Sequence, residues 1–74
     1  MDLRACPTDR LAVVRTVGLI DDDRLRLRNL GVREGAVVEV VNRSPFGACV
    51  LALGADRVAL DAATCARIEV EVGS

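Results

Sequence analysis

A small closed β-barrel of about five short strands, with one helix inserted after the first strand, is the fold this sequence predicts. Three observations carry that prediction. Runs rich in Val, Leu and Ile recur at short intervals between turns bearing glycine and aspartate, a pattern of all-β barrels. At 74 residues, 51% of them hydrophobic and 28% charged, the chain has the composition of one globular domain, residues 1–74, and not of a disordered segment. Phe46 is the only aromatic residue, so the core has to be built from Val, Leu, Ile and Ala.

The elements follow in order along the chain. Cys6-Pro7-Thr8-Asp9 is a turn, because proline presets φ and the aspartate side chain can bond to nearby backbone. Arg10–Val17 is rich in β-branched residues and forms the first strand. Both of its alternate sets contain apolar residues, so alternation does not say which face points inward.

Asp21–Asn29 is the helix. Arg24-Leu25-Arg26-Leu27-Arg28 alternates at period two, which taken alone favours a strand. The end signals favour a helix instead. Asp21 stands where an N-cap would, and Asp22 and Asp23 oppose the positive end of the helix dipole. Ile20 and Leu25 occupy the two positions of a hydrophobic staple. Leu27 and Leu30 lie three apart, and Gly31 stands where a left-handed residue ends a helix.

Val32-Arg33-Glu34-Gly35 is a turn with glycine in last position. Ala36–Arg43 alternates as a strand, with Val38 and Val40 on one face and Glu39 on the other. Ala48–Leu53 is a continuous apolar strand. Gly54-Ala55-Asp56-Arg57 connects it to a short strand at Val58-Ala59-Leu60. Asp61–Arg67 is a single helical turn, and Ile68–Val72 is a last strand with Glu69 and Glu71 outward.

Composition excludes several function classes. The net charge is −1 and the pI is about 5.2. A nucleic-acid binder needs a basic footprint, and single-strand binders add aromatic platforms; this chain has neither. The arginines at 24, 26 and 28 are offset by Asp21, Asp22 and Asp23. The longest apolar run, Phe46–Ala55, falls well short of the ~20 residues of a membrane helix, so no direct membrane insertion is expected. No apolar signal-peptide core follows Met1. Cys6, Cys49 and Cys65 are odd in number and widely spaced, which fits reduced thiols in the cytoplasm.

Catalytic chemistry is not expected either. Without histidine, the Ser/His and Cys/His arrangements are impossible. Cys49 and Cys65 lie in apolar stretches, where burial makes a thiol inert. The Asp21–Asp23 run lacks the glycine and distal glutamate of a calcium loop. Glu39, Glu69 and Glu71 form either an acidic strip, if their strands pair, or a solvated face. No catalytic residue, metal ligand or cofactor is expected. The remaining candidate is Ser44-Pro45-Phe46-Gly47 as a partner-binding tip. A rigid turn can present its aromatic as an anchor, or the same phenylalanine can fold back and cap the barrel.

Taken together, Arg26-Leu27, Leu30-Gly31-Val32, Gly35, the alternating valine strand, Ser44-Pro45-Phe46-Gly47, Val58-Ala59-Leu60 and Ile68-x-Val70 resemble the FeoA family. Leu3 and Ala12-x-Val14 match its N-terminal pattern more loosely. The chain departs from that pattern at three places. Asp9 stands where a glycine is usual, Ala48-Cys49 replaces a Gly-Pro, and Cys65 replaces a small residue. The resemblance implies an SH3-like β-barrel and a cytoplasmic, non-catalytic accessory of ferrous iron uptake. It also implies a partner, the cytoplasmic GTPase region of a FeoB-type ferrous iron transporter. The alternative is a metal-responsive regulatory domain, similar to the SH3-like tails of iron- and manganese-dependent repressors. This chain carries neither their winged helix nor histidine ligands.

Overall fold

A computed structural model describes residues 1–73. The elements run β1 (Leu11–Val17), α1 (Asp21–Asn29), β2 (Val37–Arg43), β3 (Cys49–Leu53), β4 (Asp56–Leu60), α2 (Ala62–Cys65) and β5 (Ile68–Val72). The five strands form one antiparallel sheet in the order β4-β3-β2-β1-β5. The sheet curls into an SH3-like barrel with the helix after the first strand, as the sequence predicts. It is not strictly closed: β4 and β5 are its two edges, and the chain passes between them through α2. The fourth strand starts at Asp56, earlier than expected, because Gly54 and Ala55 alone make the turn.

The core fills the inside of the curl. Ala12 and Val14, Val38 and Val40, Leu51, Val58 and Leu60, and Ile68 and Val70 alternate inward from the five strands. Each fully buried aliphatic side chain contributes roughly 1.5–3 kcal/mol. Among the described residues, no polar or charged residue is buried with them.

Two register shifts set what faces inward. In the β1–β5 ladder Val14 pairs with Val70 but Thr16 pairs with Glu69, so Arg15 is an extra residue. Val17 thereby returns to the core, out of phase with Ala12 and Val14. That slip accounts for Val17, whereas Leu11, also apolar and in the same alternate set, stays exposed. In the β2–β3 ladder Val40 pairs with Leu51 and Asn42 with Val50. Val41 is the extra residue and is left exposed, and Arg43 comes to lie opposite buried Cys49.

The first residues lie along the open edge of β5. Leu3 N–H donates to the Ile68 carbonyl at 3.1 Å and Val70 N–H to the Met1 carbonyl at 2.7 Å, while the Leu3 side chain is fully buried. An edge covered in this way is shielded from pairing with other chains.

Helix α1 ends as expected. Val32 N–H donates to the Leu27 carbonyl at 2.8 Å and Gly31 N–H to that of Arg28 at 3.0 Å, with Leu27 and Val32 both buried. These are the paired bonds of a Schellman motif. Its start differs from the expectation. Asp21 has φ 54° and no side-chain cap bond forms; Ile20 occupies the cap position. A capping side chain needs an extended backbone at its own residue, which a left-handed Asp21 does not provide. Ile20 and Leu25 are 75% and 55% exposed, so no staple forms. Asp23 instead pairs with Arg26 at 2.7 Å, and Arg24 pairs with Glu34 rather than with the aspartates. The cap that does form is on α2, shorter than the predicted turn, where Thr64 N–H donates to Asp61 Oδ1 at 2.8 Å.

Candidate functional site

The Ser44–Gly47 segment joins β2 to β3, and its bonding is local. Ser44 N–H donates to the Ala48 carbonyl at 2.8 Å, and Gly47 N–H to the Ser44 carbonyl at 3.1 Å. The Ser44 hydroxyl oxygen accepts two more bonds, from Phe46 N–H at 3.2 Å and Ala48 N–H at 3.1 Å. Pro45 fixes its own φ, and Gly47 closes the loop at φ 95°. This is the pattern of a three-residue hairpin loop closed by a left-handed residue. A Cβ on Gly47 would lie 3.4 Å from the Ala62 Cβ and 3.7 Å from the Arg4 side chain. The hairpin therefore rests on α2 and on the N-terminal segment.

Phe46 projects from this base and is 88% exposed. Of the two alternatives open in the sequence, the barrel cap is excluded by that exposure. Burying a phenylalanine would stabilise the fold by roughly 1.5–3 kcal/mol, and this fold forgoes it for the only aromatic it has.

Beneath the hairpin lie residues that the sequence did not single out together. The Arg43 guanidinium donates to the Leu3 carbonyl at 2.8 Å and also to the Cys6 carbonyl. It ties the end of β2 to the N-terminal segment, and its buried Nε has no partner. Plain alternation from Val40 would not bring Arg43 here; the bulge at Val41 does, and no residue type announces it.

Cys6, Cys49 and Cys65 are all buried and free, as expected of core thiols. Their proximity is new. Burial pushes the Cys65 thiol up to about 12, helped by the neighbouring Cys49 thiol. Burial also raises Cys6, against a smaller opposing effect from Arg43. Thiols held protonated in this way are poor nucleophiles.

The three glutamates do not form a strip. Strand β1 separates Glu39 on β2 from Glu69 and Glu71 on β5. Glu71 pairs with Arg15, and Glu69 lies 3.3 Å from the terminal ammonium. Among the described residues, no group of three His, Cys, Asp or Glu side chains is placed to hold a metal ion. No helix among them is long and apolar enough to cross a membrane.

Comparison with known proteins bears on both fold and family. The FeoA domain profile matches residues 1–72. The solution structure of iron(II) transport protein A from Clostridium thermocellum is 25% identical, with a TM-score of 0.87. The match covers 97% of this chain and 45% of that one, so this chain spans under half of that protein's length. The FeoA protein from Chlorobium tepidum matches at a TM-score of 0.88 and 23% identity, over 100% of this chain and 71% of that one. The crystal structure of an iron uptake regulatory protein (FeoA) matches at a TM-score of 0.83 and 22% identity, covering 97% of this chain and 96% of that one. The last two likenesses concern the fold. A comparison with curated proteins returns no match.

Proposed function

The chain belongs to the FeoA family, and we propose that it is a non-catalytic accessory of ferrous iron uptake that docks on the cytoplasmic GTPase region of a FeoB-type transporter. The family is associated with ferrous iron transport. One observation carries the docking: Phe46 stands 88% exposed on a hairpin whose backbone N–H groups are all bonded within the loop.

An exposed aromatic on a preorganised turn suits an interface anchor. It brings a large apolar area to a partner's pocket and loses little conformational freedom on binding. Ser44 holds the loop closed, Pro45 limits its backbone, and Gly47 seats it on the barrel. Phe46 is then the contacting residue, with Ser44, Pro45 and Gly47 as its support. The absence of histidine and the raised thiols of Cys6 and Cys65 fit a binding role better than a catalytic one.

The test is calorimetric titration of the isolated cytoplasmic GTPase region of such a transporter with the wild-type chain and with Phe46→Ala. Anchor residues typically carry about 2 kcal/mol or more, so affinity should fall at least about tenfold with the melting temperature unchanged. Equal affinities for the two chains would overturn the assignment of the tip.

A further inference from the structure

We propose that a notch beside α1 binds an oxyanion and takes the phosphate group of a phosphate-bearing compound or lipid headgroup. The notch is a cavity of about 130 Å³ lined by Val17, Arg24, Arg28, Val32, Arg33 and Glu34. It shares no residue with the Ser44–Gly47 hairpin and does not depend on the docking role proposed for it.

Buried Val17 and Val32 form its floor. Arg24 is fixed as one wall: it donates to the Val17 carbonyl at 2.8 Å and to both Glu34 oxygens at 2.9 Å. Glu34 Oε2 also accepts from Val17 N–H at 3.2 Å. The single carboxylate of the notch is thus already engaged. Arg28 lies in the last turn of α1, and the reversal at Gly31 and Val32 brings Arg33 back to the same cavity. Among the described residues, neither Arg28 nor Arg33 is in an ion pair.

Three guanidinium groups therefore face one carboxylate, in a chain whose net charge is −1. Like charges gathered at one point repel, and a bound anion removes that cost while accepting charge-assisted, bidentate hydrogen bonds. The cavity is several times the ~30 Å³ share of a water molecule, enough for a tetrahedral oxyanion. It offers no aromatic surface on which a base could stack, so the phosphate group itself is what is recognised and the rest of the ligand stays outside.

The experiment is an amide-shift NMR titration of the full chain at low ionic strength, where exposed charges are least screened. Inorganic phosphate is one probe; vesicles of phosphatidylcholine with and without phosphatidic acid are the other. Saturable shifts at Arg28, Arg33 and Val32 with inorganic phosphate support a soluble source. The same response only to vesicles containing phosphatidic acid supports a membrane source. In either case Arg28→Gln with Arg33→Gln should weaken binding about tenfold or more. Glu34→Gln should tighten it severalfold by releasing the Arg24 charge, a gain that a purely structural role would not produce. No saturable shift with either probe overturns the proposal, as does a response to a short polyglutamate peptide without one to phosphate. So does a response that the double variant leaves unchanged.

Discussion

At one end of β3 the chain reverses through Gly54 and Ala55; at the other it reverses through Pro45, Phe46 and Gly47. The first hairpin adds to the reversal only an exposed Arg57 guanidinium that donates to the Gly54 and Asp56 carbonyls at 3.4 and 3.1 Å. Its closing pair is Leu53 and Asp56, and a side chain added at Gly54 would meet nothing within 4 Å. The second is braced on three sides. The Ser44 hydroxyl ties it internally, α2 and Arg4 support it from below, and Arg43 anchors the strand that enters it. Reversal alone needs none of this. The contrast separates a turn that completes the sheet from one that holds a particular side chain out in solvent.

The contrast can be broken most forcefully at Arg43. Arg43→Ala removes two bonds to the N-terminal carbonyls from a charged donor and takes from the Cys6 carbonyl its one partner among the described residues, while the Leu3 carbonyl keeps the bond from Cys6 N–H at 3.4 Å. It should cost about 2 kcal/mol or more by urea unfolding. Amide exchange should speed up at Leu3 and Ala48 but not at Arg57; uniform acceleration would mean that the bracing is not local.

Ser44→Ala comes next. It should cost about 1 kcal/mol through the loss of two accepted bonds, whereas Ala55→Ser in the other hairpin should stay within about 0.5 kcal/mol. Equal costs would erase the distinction between the two turns.

Acid provides a smaller effect, transmitted through α2. The bonds from Thr64 hold the Asp61 carboxyl below its ordinary value of 3.8. A depressed folded-state value stabilises the protein above the unfolded one and is lost as pH falls through the folded one. Melting temperature should therefore decline on acidification, and Asp61→Asn, which retains a capping oxygen, should flatten that decline. An identical pH profile for the variant would remove Asp61 from the support of the hairpin.

Phe46→Ala should have the least effect on stability, within about 0.5 kcal/mol, because the side chain touches solvent and little else. A large drop in melting temperature would show that the tip is part of the fold.

Most of the architecture was legible in the sequence because it rests on local chemistry. The reversal at Gly31, the inward Val38 and Val40, the outward Glu69 and Glu71 and the buried cysteines all follow from residue type and spacing. Two kinds of feature were not legible. One is the pair of bulges at Arg15 and Val41, where an extra residue changes phase without a marker of its own. The other is contact between distant segments: Arg43 on the Leu3 and Cys6 carbonyls, Cys65 against Cys49, and Arg28 with Arg33 around one notch. The candidate tip was visible as Ser44-Pro45-Phe46-Gly47, but its exposure was not. Whether a lone phenylalanine points in or out depends on what the rest of the barrel leaves unfilled, and Val, Leu and Ile fill this one.

The bulge at Val41 also limits how this hairpin can be exchanged between proteins. A loop transplanted from Arg43 onward into a strand of regular register would carry the tip but turn the arginine to the opposite face, away from the carbonyls it holds here. The transferable unit therefore begins at Val40, before the extra residue, and the bulge travels with the tip as part of it.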